Sequence, residues 1–242
     1  GHNTGTVAEL TVAMLIALQR RMLPADREIK AGRYQAMRES LFNIGLPELG
    51  ETTLGLIGLG AVGRKVAQVT NLLGASVMYY DVNRPSAAEE QALEVRYKPL
   101  HELLACCGPV SLHAPLTPTT RGLMGAAELA RMPMGAYVVN TARGELIEPR
   151  ALAEALESGH IAGAALDTLA PEPPPDNHPL LNLSPAARER LLLTPHIAGT
   201  TQGAFHRMLT GALNNLQTVA AGGPPRHVVN GIFKARTGAV TV

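Results

Sequence analysis

Gly58-Leu59-Gly60-Ala61-Val62-Gly63 spaces three glycines as G-x-G-x-x-G, and Asp81 follows 23 residues after the first of them. This spacing suits the binding of a dinucleotide. Gly58 permits a tight turn, Gly60 lets backbone approach a pyrophosphate, and Gly63 lets the following helix pack on the preceding strand. Ala61 and Val62 open that helix, whose free N–H groups and partial positive charge favour phosphate. Asp81 can accept hydrogen bonds from both adenosine ribose hydroxyls, and its charge repels a 2′-phosphate, so NAD is expected rather than NADP. Arg84 could in principle neutralise such a phosphate but is expected in solvent.

The elements that must position this loop are short apolar runs alternating with helical stretches. Predicted strands are Thr53–Ile57, Ser76–Tyr80, Val110–Leu112, Tyr137–Asn140, Ile161–Leu166 and Leu191–Thr194. Runs that are apolar throughout belong to strands buried on both faces, as in a parallel sheet. Predicted helices between them are Val62–Leu73, Ser86–Leu93, His101–Cys106 and Pro149–Ser158, with a short one over Ser184–Arg190. The alternation predicts right-handed crossovers and a doubly wound α/β sheet. Before it, Thr6-Val7-Ala8-Glu9 reads as a capping box opening a helix that ends near Met22. A second helix is expected over Pro24–Ala31, and 33–51 is expected to be irregular because of Gly45, Pro47 and Gly50. Prolines fill 171–185, which must be a loop, and a long helix is expected over Thr200–Ala221.

Composition narrows the function. The chain has 242 residues, 46% hydrophobic and 17% charged, which excludes a disordered chain. The net charge of +1 shows no basic stripe, so no nucleic-acid partner is expected. The apolar stretch Val12–Leu18 is too short to span a bilayer, so no membrane partner is expected. The adjacent Cys106 and Cys107 lack disulfide or metal-ligand spacing. They are expected as buried or half-buried thiols in a reducing cytoplasm. No metal site is expected.

Four further stretches, with the glycine loop, resemble the D-isomer-specific 2-hydroxyacid dehydrogenases. They are Val110–Thr117 with His113-Ala114-Pro115, Val139–Gly144 with Thr141-Ala142-Arg143, Gly163–Asp167 followed by Glu172-Pro173, and Thr194–Gly199 with His196. The resemblance runs from about Val7 to Asn230 and implies a Rossmann-type cofactor domain that binds NAD. It implies hydride transfer between a small 2-hydroxy acid and its 2-keto acid. In those terms His196 is the acid/base, Glu172 its partner, and Arg143 the substrate clamp and electrophile. Asp167 resembles the residue at the nicotinamide end. Gly58, Gly60, Ala61, Val62, Gly63, Asp81, His113, Ala114, Pro115, Thr141, Ala142 and Gly199 complete the expected cofactor contacts, His113 through its backbone.

The residue types fit those roles independently. A histidine titrates near working pH and so serves as an acid/base, while a neighbouring carboxylate stabilises imidazolium. An arginine fork grips a carboxylate at two points and polarises a carbonyl. His2, His101, His160, His178, His206 and His227 read as surface or packing residues.

The family's chains are longer at the start. The expectation is therefore a cofactor domain over 1–221 and a remnant of the substrate domain over 222–242, inactive alone. Glu172, where related formate dehydrogenases tend to carry glutamine, argues against formate as substrate. A rival reading is a module that senses NAD(H) or bridges partners without turnover, like the family's corepressors. A homodimer is also expected, because the helix over Thr6–Met22 is apolar over more than one packing face.

Overall fold

The computed structural model describes residues 2–226 and 228. The returning segment expected over 222–242 falls at 227 and from 229 onward outside the described residues.

The strands are β1 (Thr53–Ile57), β2 (Ser76–Tyr80), β3 (Val95–Tyr97), β4 (Pro109–Leu112), β5 (Ala136–Asn140), β6 (Ile161–Leu166) and β7 (Leu191–Leu193). They form one seven-stranded sheet in the order β3-β2-β1-β4-β5-β6-β7, with every pairing parallel. This is the doubly wound, Rossmann-type α/β arrangement expected. β1 lies between β2 and β4, so the chain first winds towards β3 and then returns to wind the other way. The reversal leaves a crevice at the carboxyl ends of β1 and β4, the place where such sheets take ligands.

The helices are α1 (Thr4–Gln19), α2 (Met22–Lys30), α3 (Tyr34–Ile44), α4 (Ala61–Leu72), α5 (Ala87–Ala92), α6 (Leu100–Cys106), α7 (Ala126–Arg131), α8 (Pro149–Glu157), α9 (Pro185–Arg188) and α10 (Gln202–Ala220). Successive strand residues point to opposite faces, and both faces are covered. Leu54, Leu56, Val77, Tyr79, Val139 and Ala165 pack with Met14 and Leu15 of α1 and Val66 of α4. Val110, Leu112, Val138, Ala164 and Leu166 pack with Leu103, Leu104, Leu129 and Leu152 of α6, α7 and α8.

Several expectations need correction. α1 starts at Thr4 with Asn3 as its N-cap residue. Thr6 is already inside the helix and donates its hydroxyl to the Asn3 carbonyl at 2.9 Å, so the capping box is absent. α1 ends at Gln19, and Arg21 takes a left-handed φ of 49°. Pro24 then sits in the first turn of α2, where no N–H is needed. The span expected to be irregular holds α3, whose end is set by Gly45 at φ 69°. No residue of α3 is buried, yet Tyr34, Met37, Leu41 and Ile44 recur at helical spacing; the breakers Gly45, Pro47 and Gly50 lie beyond its end and do not interrupt it. β3 and α7 were too short to register by periodicity. Cys107 is buried as expected, but Cys106 is exposed.

The apolar surplus of α1 is absorbed within the chain: Val7, Ala8, Val12, Met14 and Leu15 are all buried. Its Thr11 hydroxyl meets that of Thr141 at 2.8 Å. The exposed apolar side chains lie elsewhere, on α2 and α3 (Met22, Leu23, Tyr34, Phe42) and along α10 (Phe205, Leu209, Leu213, Leu216). Among the described residues no helix is long and apolar enough to cross a membrane.

Candidate active site

The glycine loop sits at the crevice where the winding reverses. Gly58 has a φ of 100°, and a Cβ there would lie 2.7 Å from the Ala114 nitrogen. A Cβ on Gly63 would lie 2.2 Å from the Gly58 carbonyl oxygen. Both positions therefore require glycine, for close backbone approach. Gly60 differs: nothing lies within 4 Å of its missing Cβ, so open space faces it. The first helical bond of α4 runs from Arg64 N–H to Gly60 O. The N–H groups of Ala61, Val62 and Gly63 precede it and carry the helix's partial positive charge outward. A pyrophosphate fits this arrangement.

Asp81 directly follows β2, beside the loop. Its Oδ2 accepts the Leu59 N–H at 2.7 Å, and its Oδ1 accepts the Asn83 N–H at 2.8 Å. Each oxygen keeps a second lone pair for a ribose hydroxyl. Arg84 is exposed but not free. Its guanidinium forks onto Glu90 at 2.6 and 2.9 Å and lies 4.7 Å from the centre of the Tyr97 ring. Glu90 also accepts the Tyr79 hydroxyl. The bond from Arg84, helped by that of Tyr79, holds the Glu90 carboxyl at about 2.

Across the crevice, the backbone at His113 closes on β1 through its N–H to the Ile57 carbonyl at 2.7 Å. The His113 ring meets Ser111 Oγ at 3.0 Å, and burial pushes its imidazole down to about 4. Ala114 is half-buried and Pro115 exposed beside it.

Arg143 follows β5 on a turn shaped by Asn140. The Asn140 side chain accepts the Ala142 N–H at 3.0 Å and donates to the Arg143 carbonyl at 2.8 Å. Arg143 itself is exposed. Sequence reasoning passed over Asn140, and also Gly144, where a Cβ would lie 2.2 Å from the Leu169 carbonyl carbon. That contact seats the Arg143 turn against the segment leading to Glu172.

Asp167, fully buried at the end of β6, organises the next loop. Its Oδ1 accepts the Thr194 hydroxyl at 2.5 Å and the Ile197 N–H at 2.8 Å. Its Oδ2 accepts the Ala198 N–H at 2.9 Å, and its carbonyl accepts the His196 N–H at 2.8 Å. His196 sits in that loop at a left-handed φ of 55°, held by neighbours on both sides. Its Nδ1 lies 2.9 Å from Glu172 Oε2, while Glu172 Oε1 accepts the Leu169 N–H at 3.1 Å. Burial works to raise the Glu172 carboxyl, but the His196 ring, the Leu169 N–H and the charge of Arg143 outweigh it and hold it below the ordinary value. Gly199 abuts Asn3 at the start of α1, where a Cβ would meet Asn3 Nδ2 at 2.8 Å.

The structure thus brings Arg143, Asp167, Glu172 and His196 to the carboxyl ends of β5, β6 and β7. Residues 12–198 match the sequence profile of the D-isomer specific 2-hydroxyacid dehydrogenase, NAD binding domain. The chain belongs to that family. Within the 2-hydroxyacid dehydrogenases it is 38% identical over 230 residues to the glyoxylate reductase of Thermofilum pendens, covering 95% of this chain and 66% of the relative. It is 32% identical to the glycerate dehydrogenase of Methylorubrum extorquens, covering 90% of this chain and 66% of that one. Among solved structures, the NAD-complexed D-isomer specific 2-hydroxyacid dehydrogenase of Lactobacillus delbrueckii ssp. bulgaricus superposes with a TM-score of 0.80 at 32% identity, over 93% of this chain and 70% of that one. The chain spans about two thirds of the length of these curated relatives. Residues 12–198 are its NAD-binding part.

Proposed function

We propose that this site interconverts a small 2-hydroxy acid and its 2-keto acid, with NAD(H) held between the glycine loop and His113. The carrying observation is the Glu172–His196 contact at 2.9 Å beside Arg143. The bound nicotinamide would supply or accept the hydride. Arg143 grips the substrate carboxylate with its fork and polarises the carbonyl. His196 gives its proton to the developing alkoxide, and Glu172 orients the ring and steadies its charged form. Asp167 fixes the loop that carries His196, and Asp81 recognises the adenosine ribose. The relatives named glyoxylate reductase and glycerate dehydrogenase support a short substrate, and Glu172 speaks against formate.

Arg143 is exposed and the His196 side chain is 50% exposed. Hydride transfer is faster in a closed, water-poor cleft, so turnover depends on a cover over this face. The open site therefore binds NADH well and reduces glyoxylate, pyruvate and hydroxypyruvate slowly. His196→Ala should lower whatever turnover is measured by about 10²–10⁴-fold while calorimetry shows NADH affinity unchanged. Equal turnover in parent and variant would overturn the reading.

The same reading places the protein in the cytoplasm, where thiols such as Cys106 and Cys107 stay reduced. It also takes a second copy as the occupant of the apolar surface on α2 and α3. Light scattering at micromolar concentration should give twice the chain mass, and a monomer there would sink the dimer.

A further inference from the structure

His178 lies outside every contact assigned above, yet it is only 3% exposed and both its ring nitrogens are engaged. Nδ1 accepts the Leu180 N–H at 3.3 Å, which caps the short turn over Pro179–Leu181. An accepting Nδ1 places the ring proton on Nε2, and Nε2 lies 3.2 Å from the Ala170 carbonyl oxygen.

That carbonyl belongs to a segment with little else to hold it. In Ala170-Pro171-Glu172-Pro173-Pro174 three of the five residues are prolines and have no N–H to donate. Among the described residues, the bond from His178 is the one that ties the backbone of this stretch to the rest of the protein, while the Glu172 side chain is met by the Leu169 N–H and the His196 ring. The turn bearing His178 is itself anchored: Asn182 Nδ2 donates to the Asp176 carbonyl at 2.7 Å and to the His178 carbonyl at 3.0 Å. Glu172 is two residues beyond Ala170, and its side chain must reach His196 across open, half-exposed ground.

We infer that His178 is a positioning residue for the acid/base pair: its Nε2–H holds the Ala170 carbonyl, and through it the stretch that presents Glu172 to His196. The inference rests on the proposed pairing of Glu172 with His196. It assigns the two ring nitrogens different tasks, Nδ1 to the local turn and Nε2 to the site.

The two tasks can be separated by amide side chains. Asparagine offers an acceptor near the Nδ1 position but is too short to reach Ala170. Glutamine offers an N–H donor near the Nε2 position. The readout is the titration of the Glu172 carboxyl in the 242-residue chain, followed by ¹³C NMR and assigned by its loss in Glu172→Gln. His196→Ala, which removes the partner, should move the midpoint up towards the ordinary carboxylate range. His178→Asn should move it the same way, and the His178→Asn/His196→Ala double variant no further than His196→Ala alone. His178→Gln should leave it near the parent value. Should His178→Asn fail to fold by circular dichroism, His178→Met keeps the buried volume, offers neither bond, and should give the same rise. A rise with His196→Ala but none with His178→Asn or Met overturns the inference and leaves the pair standing. Equal rises in the Asn and Gln variants reduce His178 to a packing role and overturn it too. No rise with His196→Ala overturns the pair itself and the inference with it.

Discussion

Glu172 Oε2 accepts from His196 Nδ1 across 2.9 Å, although the two residues leave different strands of the sheet, β6 and β7. The ring therefore enters the site with one nitrogen already engaged. Nε2 has no hydrogen-bond partner among the described residues and is the nitrogen proposed to face substrate.

This arrangement sets the sign of a pH effect. The Glu172 carboxyl is held below its ordinary value, so it is charged throughout the neutral range. The pairing is complete above the unfolded value of about 4.3 and is lost as pH falls through the lower folded value. Glu172→Gln removes that charge at every pH, and the protonated ring then loses its partner. The pH profile of keto-acid reduction should shift to lower pH, as stopped-flow rates across pH 5–9 would show. An unmoved profile would mean that the two side chains are not coupled.

Cofactor choice turns on Asp81 together with the immobilised Arg84. With Arg84 forked onto Glu90 and lying over Tyr97, this guanidinium is already engaged and does not stand ready beside Asp81 for a 2′-phosphate. The chain should bind NADH more tightly than NADPH, and Asp81→Ala should narrow the difference by at least a few-fold. Fluorescence titration with both cofactors decides it. Equal affinities in the parent would count against Asp81 as the selector.

Asp167 offers a stability test. Its carboxyl accepts three hydrogen bonds while fully buried. In Asp167→Asn an amide NH₂ replaces one acceptor and faces an N–H donor instead. Bonds to charged groups are worth about 1.5–3 kcal/mol each, so the variant should lose at least about 2 kcal/mol. For a chain of this size that corresponds to a fall in Tm of about 4–8 °C. A melt matching the parent would show that the loop bearing His196 does not depend on this acid.

How much of this was legible beforehand follows from how locally each feature is encoded. The strands were visible because Leu54–Ile57 or Tyr137–Val139 are apolar on both faces, and the glycine loop because its spacing is a local requirement of backbone approach. α3 was hidden because Gly45, Pro47 and Gly50 crowd its end, although Tyr34, Met37, Leu41 and Ile44 keep helical spacing before them. The start of α1 was misplaced because Asn3, not Thr6, ends the non-helical chain. In the site, Arg143, Glu172 and His196 were singled out by type and by resemblance. Of the groups that hold them, Asp167 was singled out only for the nicotinamide end, and Asn140 and Gly144 were passed over. Asn140 shapes the Arg143 turn through two short-range bonds, and Gly144 matters only because Leu169, 25 residues later, comes to rest on it. Contacts of that kind exist only after folding, so no local spacing announces them.

The reversal of winding between β1 and β4 divides the labour of the sheet. Everything proposed to read the adenosine, from Gly58 to Asp81 and the Arg84–Glu90 latch, stands on β1, β2 and the connections around them. Everything proposed to handle the acid, Arg143, Glu172 and His196, stands beyond β4. The two halves share a core, in which Val139 and Ala165 pack with Leu54 and Leu56, but none of the side chains proposed to touch the ligands belongs to it. Cofactor preference and substrate preference can accordingly drift, or be redesigned, almost independently, much as two tools can be exchanged on a common handle.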